Sequence, residues 1–125
     1  MAFNLKSTKT IKIGDKSFQV SYPTVGQIIA IENKKMFLTN DKYVDYVANS
    51  LTLGQRFALD LVDVLSTFTV LIPELSKELA VDNVLDLDPI TGKALIAVYK
   101  NEFLPWWSEL QKVIHETVTK VNAEV

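Results

Sequence analysis

The first periodic segment of the chain alternates apolar and polar positions. Apolar side chains recur at every second position over residues 8–13 and 16–22, and Gly14-Asp15 separates the two runs. This alternation predicts strands, and a glycine–aspartate pair between them predicts a tight turn. Pro23 ends the second strand because it has no backbone N–H to give to a neighbouring strand. The predicted hairpin turns one apolar face inward, made of Ile11, Ile13, Phe18 and Val20.

After Pro23 the hydrophobic period lengthens to between three and four, which is the period of helices. Capping-box spacing at Thr24–Gln27 and Thr52–Gln55, and an Asp88-Pro89 pair, mark three helix starts. A break or a kink is expected at Leu104-Pro105, because a residue before proline is pushed out of the α region. The predicted helices cover about 24–38, 41–48, 53–71, 73–79, 89–103 and 105–120.

Three finer expectations concern the helical part. The strongest periodic stripe is that of residues 53–71, which predicts a central helix. Tyr43, Val44 and Val47 should form the apolar side of the short second helix. Gly92 should weaken its helix by roughly 1 kcal/mol relative to alanine.

The length of 125 residues predicts one domain. It is expected to be mainly α, with the hairpin over residues 8–22 followed by a compact bundle of about five to six helices over 24–120. Two strands alone are marginally stable in water. The ribbon must therefore lie on helices of its own chain or on another subunit, and a strand edge is left for a partner.

Composition excludes several classes of function. The net charge is −2 with a single arginine, Arg56, so no clustered basic surface predicts nucleic-acid binding. The absence of cysteine excludes disulfides and thiolate metal sites. No apolar run is long and uncharged enough to predict a membrane span, and no secretory signal is visible in the sequence.

Candidate chemistry is sparse. His115 is the only histidine, and it lacks partners at the spacing of a metal site or a catalytic base. Asp60 and Asp63 lie three apart, which is more typical of the polar side of an amphipathic helix than of acid–base catalysis. The acidic run Asp82, Asp86 and Asp88 lacks the ligand spacing of a calcium loop. We therefore expect no catalytic, cofactor-binding or metal-binding residue.

The segment Phe103–Trp107 is the richest aromatic cluster of the sequence. Trp106 and Trp107 are adjacent, so on a helix their side chains point about 100° apart. One can face a core while the other cannot easily follow. Tryptophan is enriched in binding hot spots, so packing in the core and contact with a partner are equally good interpretations.

The segment Thr10–Val20 followed by Pro23-Thr24-Val25-Gly26 resembles the start of small phage tail assembly chaperones. These have a short strand–glycine–strand ribbon and then a Pro-Thr-Val-Gly-like entry into a helix-rich body. Leu59–Leu75 and Tyr99–Trp107 are similar to uncharacterised proteins from phages of gut bacteria. The resemblance implies no catalytic residues. It implies binding of tail tube or tape-measure proteins in the host cytoplasm during assembly.

The leading hypothesis is thus a non-enzymatic phage morphogenesis protein, acting through apolar surface and a hairpin edge, with homo-oligomerisation left open. The runner-up is a structural virion subunit of the neck, ring or capsid that stays in the particle. A small enzyme built on Asp60, Asp63 and His115 is the third hypothesis. No nucleic-acid or membrane partner is expected. The candidate interaction residues are Phe18, Val20, Pro23, Thr24, Trp106 and Trp107.

Overall fold

The structure, a computed structural model, describes residues 8–49, 51–79 and 86–123. The chain is mainly helical and begins with a two-stranded antiparallel hairpin. The strands are β1 (Thr8–Ile13) and β2 (Lys16–Ser21). The helical segments are α1 (Val25–Leu38), α2 (Tyr43–Ala48), α3 (Leu53–Leu71), the single turn α4 (Leu75–Glu78), α5 (Pro89–Val98), a π-helical turn (Tyr99–Phe103) and α6 (Leu104–Ala123).

The hairpin has the predicted register and turn. Ile11 lies opposite Phe18, and Ile13 lies opposite Lys16, so Gly14-Asp15 forms a two-residue loop. Gly14 has a φ of 63°, a conformation that glycine adopts without steric cost. Ile11, Phe18 and Val20 are buried and Ile13 is half-buried, so the alternation identified the inner face, with Ile13 near its border. β1 packs against the π-helical turn.

The expected five to six helices are four among the described residues, counting the helical stretch from α5 to α6 as one and leaving out the single turn α4. The predicted break at Leu104-Pro105 is wrong. Leu104 has helical angles, φ −60° and ψ −41°, and its N–H bonds to the carbonyl of Tyr99 in a π-helical pattern. The extra residue of the π turn lets the helical path continue into Pro105, which has no N–H to pair.

The described chain divides into two compact units. The first contains the hairpin, Tyr22 and the chain from Val98 onward, and the second is Pro23–Ala97. The single domain predicted from length stays a prediction.

The second unit has its apolar centre on the C-terminal half of α3. Val64, Leu65 and Phe68 are buried there, and α1 and α2 both pack on α3. Leu53 is at the other end of the same helix and is 90% exposed. The predicted stripe is therefore apolar along its whole length but buried only along part of it. Other buried apolar residues of this unit are Ile31, Ile72, Leu75, Leu95 and Ile96.

The connection from α1 to α2 contains two consecutive residues in the left-handed region of the backbone. Asn40 and Asp41 both have positive φ, 51° and 65°. The N–H of Asp41 bonds to the carbonyl of Met36 and that of Asn40 to the carbonyl of Phe37. This is a Schellman ending of α1 with asparagine at the left-handed position. α2 then starts at Tyr43 without a side-chain cap.

The apolar side predicted for α2 is only partly correct. Tyr43 is half-buried, whereas Val44 and Val47 are exposed. Tyr43 points to α3 because its hydroxyl is bonded there. The two valines share a different face of the helix, as residues three apart do.

Candidate protein interface

The start of α1 is fixed by a reciprocal hydrogen-bond pair. The Thr24 hydroxyl accepts from the N–H of Gln27 at 3.1 Å, and the Gln27 side-chain oxygen accepts from the N–H of Thr24 at 2.9 Å. The predicted capping box is therefore confirmed, and so is its counterpart at Thr52 and Gln55. Two of the four orphan donors at the helix start are satisfied in this way. This cap determines where α1 begins, and therefore which side chains of its first two turns face solvent.

The first turns of α1 carry an exposed apolar stripe, which we call the α1 stripe: Val25, Ile28 and Ile29. Val25 is 74% exposed, Ile29 is 55% exposed and Ile28 is also exposed. Residues at i, i+3 and i+4 share one face of a helix. Ile31, about 120° around the helix from Val25, is the buried residue of α1. Because exposed apolar side chains that share a face mark interaction surfaces more often than isolated ones do, this stripe is a candidate interface.

The polar border of the α1 stripe is formed one turn later. Glu32 is exposed, and its carboxylate accepts a hydrogen bond at 3.2 Å from Lys35. A charged rim around an apolar centre is the usual composition of a protein interface. Glu32 gives this border an acidic character close to Ile28 and Ile29.

Five aromatic residues of the first unit form a packed cluster: Tyr22, Tyr99, Phe103, Trp106 and Trp107. The Tyr22 ring lies 4.9 Å from the Trp107 ring and 6.2 Å from the Trp106 ring, measured between centroids. Phe103 stacks on Tyr99 at 5.3 Å and meets Trp106 edge-on at 5.6 Å. Such geometries are favourable between aromatic rings. Burial raises the pKa of the Tyr22 hydroxyl above its ordinary value.

Both tryptophans are half-buried within this cluster. The expectation that only one of them could face inward does not describe the arrangement, because Tyr22 contacts both rings. Phe103 also stacks with Trp107 at 6.2 Å. The cluster thus packs the first unit, and each indole keeps part of its surface in solvent.

The other four predicted interaction residues take part in packing or helix capping within the chain. Phe18 and Val20 are buried on the inner face of the hairpin, and Pro23 is buried as well. Thr24 is exposed but is used as the α1 cap. In the described chain, each hairpin strand pairs with the other alone, which leaves one backbone edge per strand without a strand partner.

The sequence interpretation missed the α1 stripe, although a signal was present. Residues 25–31 contain Val25, Ile28, Ile29, Ala30 and Ile31. Five apolar residues in seven positions are too many for the single buried face of a surface helix. Because some of these apolar residues cannot lie on the buried face, the segment could have suggested a second apolar face on α1.

A polar side-chain cluster centred on Asp63 links three helices of the second unit. Its Oδ1 accepts a 2.6 Å hydrogen bond from the Tyr43 hydroxyl and lies 3.8 Å from Nζ of Lys35. Lys35 also lies 5.3 Å from the centre of the Tyr43 ring. Burial raises the pKa of Asp63, against the lowering effect of Tyr43 and Lys35. The arrangement joins α1, α2 and α3.

The remaining acidic candidates and the histidine have other surroundings. Asp60 is half-buried on α3, and His115 is exposed on α6. Asp88 caps α5 as predicted, accepting from the N–H and the hydroxyl of Thr91 at 2.9 and 2.7 Å. These bonds lower the pKa of Asp88. Asp82 lies outside the described residues.

Within the ranges that the structure describes, no three histidine, cysteine or acidic side chains come together as a metal site. The helices in those same ranges are all too short or too polar to cross a membrane. Comparison with protein-family models, with curated proteins and with solved structures gives no match.

Proposed function

We propose that this protein is a non-enzymatic phage morphogenesis protein that resembles a tail assembly chaperone and binds a tail tube or tape-measure protein through the α1 stripe. The observation that carries the proposal is the exposure of Val25, Ile28 and Ile29 directly after the Pro23-Thr24 entry. That entry is the segment on which the resemblance rests. The partner's apolar surface, exposed before assembly, would cover the stripe in the host cytoplasm.

The free energy expected from burying the α1 stripe fits a transient contact. Burying a valine or isoleucine side chain stabilises by about 1.5–3 kcal/mol relative to full exposure. Three partly exposed residues give a few kcal/mol, and association entropy opposes a substantial part of this. An additional contact would strengthen the complex, and the unpaired edge of the hairpin offers main-chain groups for strand addition.

The test compares two variants of the same helix. Ile29→Glu places a charge on the α1 stripe, whereas Ala30→Glu places the same charge on an exposed position about 100° around the helix. Tagged wild-type protein and both variants are used to recover tail proteins from infected cells. We expect wild type and Ala30→Glu to recover a tube or tape-measure protein, and Ile29→Glu to lose at least about tenfold, equivalent to 1.4 kcal/mol.

Recovery of no tail protein by the folded wild type would contradict the proposal. Mass spectrometry of purified virions separates it from the alternative of a structural virion subunit. A chaperone is absent from the mature particle, whereas a neck, ring or capsid-associated subunit is present at fixed stoichiometry. Light scattering of the purified protein then gives the mass in solution and tests homo-oligomerisation.

A further inference from the structure

The second unit contains a cavity of about 410 Å³ among the end of α1, α2, residues 55–65 of α3 and the two residues before α5. This volume lies in the range of about 300–1,000 Å³ that small-molecule sites occupy. It is well above the engineered apolar cavity of about 150 Å³ that holds benzene. The walls are mainly aliphatic, formed by Leu38, Leu59, Leu61, Val62 and Leu65.

Two polar residues of the wall are already occupied. The Thr39 hydroxyl donates to the carbonyl of Lys35 at 2.8 Å. Both carboxylate oxygens of Asp88 are bonded to Thr91. The Thr39 donor is therefore used, and the Asp88 carboxylate, which keeps some acceptor capacity, is held at the start of α5.

Two neutral carboxamides of the wall retain hydrogen-bonding capacity. Gln55 uses its oxygen to accept from the N–H of Thr52 at 3.0 Å, which leaves its NH₂ group. The structure records no hydrogen bond of the Asn40 carboxamide, which can both donate and accept. The wall thus combines an aliphatic body with a small number of uncommitted neutral polar groups, which is the usual composition of a ligand site.

The charges of the wall select against ionic ligands. Among the described residues that line the cavity there is no lysine, arginine or histidine, and Asp88 is the only carboxylate. An anionic head group would find no cation there and would face Asp88. An ammonium head group could pair with Asp88, but that carboxylate is exposed, and an exposed ion pair contributes too little to offset the desolvation of the charge against aliphatic walls.

We propose that this cavity binds a neutral amphiphile, a molecule with an aliphatic or aromatic body and a hydroxyl or carbonyl head that pairs with Asn40 and Gln55. The proposal is independent of the α1 stripe, since the stripe residues do not line the cavity. Either proposal can fail while the other holds.

Head-group selectivity is tested with 1-octanol, octanoate and octylamine, titrated into the isotopically labelled full chain and followed by amide chemical shifts. We expect saturable shifts with 1-octanol that centre on residues 38–40 and 55–65, and binding at least about tenfold weaker for the two ions. Absence of saturable 1-octanol binding overturns the proposal. Equal or tighter binding of octanoate or octylamine overturns the assignment to a neutral ligand.

Location is tested by a matched pair of substitutions. Ala58 lines the cavity and is itself exposed, so Ala58→Phe fills the mouth without replacing a core residue. Ala94→Phe adds the same ring at an exposed position of α5 outside the lining. We expect Ala58→Phe to abolish 1-octanol binding and Ala94→Phe to retain it. Unchanged binding in Ala58→Phe, or equal loss in both variants, overturns the location.

Asn40→Gly tests the polar end without a loss of fold. Glycine accepts the φ of 51° at this position, so the helix ending is preserved while the carboxamide is removed. We expect 1-octanol affinity to fall about two- to tenfold, the range for one hydrogen bond. Unchanged affinity overturns the role of Asn40. Asn40→Gly therefore tests the proposed site even if Ala58→Phe fails to fold.

Discussion

The hydroxyl of Tyr43 donates a 2.6 Å hydrogen bond to the carboxylate of Asp63, joining α2 to α3 across twenty positions of sequence. α2 has six residues and no side-chain cap at its start. A helix this short is not stable by itself in water. The Tyr43–Asp63 bond is therefore one of the interactions that hold α2 in place.

Tyr43→Phe should destabilise the fold by about 1–3 kcal/mol, because a charged, partly buried acceptor loses its donor. Tyr46→Phe is the matched control. Tyr46 lies on the same helix, is exposed, and no hydrogen bond of its hydroxyl is recorded; its change should stay within about 0.5 kcal/mol. Denaturant titration of both variants measures the difference. Equal effects of the two substitutions would show that the bond contributes nothing specific.

The pH dependence of stability should carry the signature of Asp63. Its pKa is raised above 3.8 in the folded state, so the folded chain binds this proton more readily than the unfolded chain. The stability that it contributes is full below 3.8 and is lost as pH rises through the raised pKa. Wild type should therefore lose stability relative to Asp63→Asn over this window, as measured by urea titrations between about pH 3 and pH 7.

Asp88 provides a control of opposite sign. Its pKa is lowered below 3.8 by the bonds from Thr91. The stability that it contributes is present above 3.8 and is lost as pH falls through the lowered pKa. The stability of wild type relative to Asp88→Asn should therefore increase as pH rises. The same slope for both aspartates would contradict the assignment of their environments.

The sequence predicted correctly those features of the fold that depend on interactions between residues a few positions apart. Local hydrogen bonds determine the two capping boxes and the hairpin turn, and the residues at 24–27, 52–55 and 14–15 predicted them correctly. The π turn before Pro105 could not be foreseen, since the proline rule describes an ordinary helix.

The candidate interface was predicted less well for a related reason. Apolar character shows that a side chain is suited to burial, but not whether its own chain buries it. Ile31 and Ile29 are both isoleucines of α1, yet one is buried and the other is exposed. The choice depends on which face of α1 packs on α3, and that is a tertiary property.

Gly92 has a packing role that its helix propensity does not reveal. It is buried in α5, and an added Cβ would lie 2.7 Å from Cδ2 of Leu61 on α3. Gly54 lies in α3 with nothing within 4 Å of the corresponding position. Gly54→Ala should therefore stabilise by about 0.5–1 kcal/mol. Gly92→Ala should be less favourable than this by about 0.5–1 kcal/mol, because the tip of the Leu61 side chain must move.

Thermal unfolding of the two glycine variants provides the measurement. Both substitutions add one methyl group to a helix, so the difference between them isolates the contact with Leu61. A larger gain for Gly92→Ala than for Gly54→Ala would mean that Leu61 is displaced at no cost.

Ser66 lies in the buried part of α3, and its hydroxyl has no hydrogen-bond partner in the described chain. A buried hydroxyl without a partner is unfavourable by about 1–3 kcal/mol. Ser66→Ala removes the hydroxyl and gains helix propensity, so it should stabilise by about 1 kcal/mol. Thr69→Val is the contrasting variant, since the Thr69 hydroxyl donates to the carbonyl of Leu65. A loss of stability in Ser66→Ala would show that its hydroxyl has a partner in solution.

Phe18 tests whether the hairpin depends on its inner face. It lies opposite Ile11, and both side chains are buried. Phe18→Glu removes the ring and places a carboxylate against apolar neighbours, so it should destabilise by more than about 3 kcal/mol. Gln19→Glu puts the same charge on the exposed face of the same strand and should change stability by less than about 0.5 kcal/mol.

Hydrogen exchange of the hairpin amides in Phe18→Glu and Gln19→Glu distinguishes local from global effects. We expect the amides of β1 and β2 to lose protection in Phe18→Glu and to keep it in Gln19→Glu, because a two-stranded sheet without a packed face is marginal in water. Protection that survives in Phe18→Glu would mean that the ladder is stable without its apolar face. The hairpin could then be offered to a partner without first being packed on helices of its own unit.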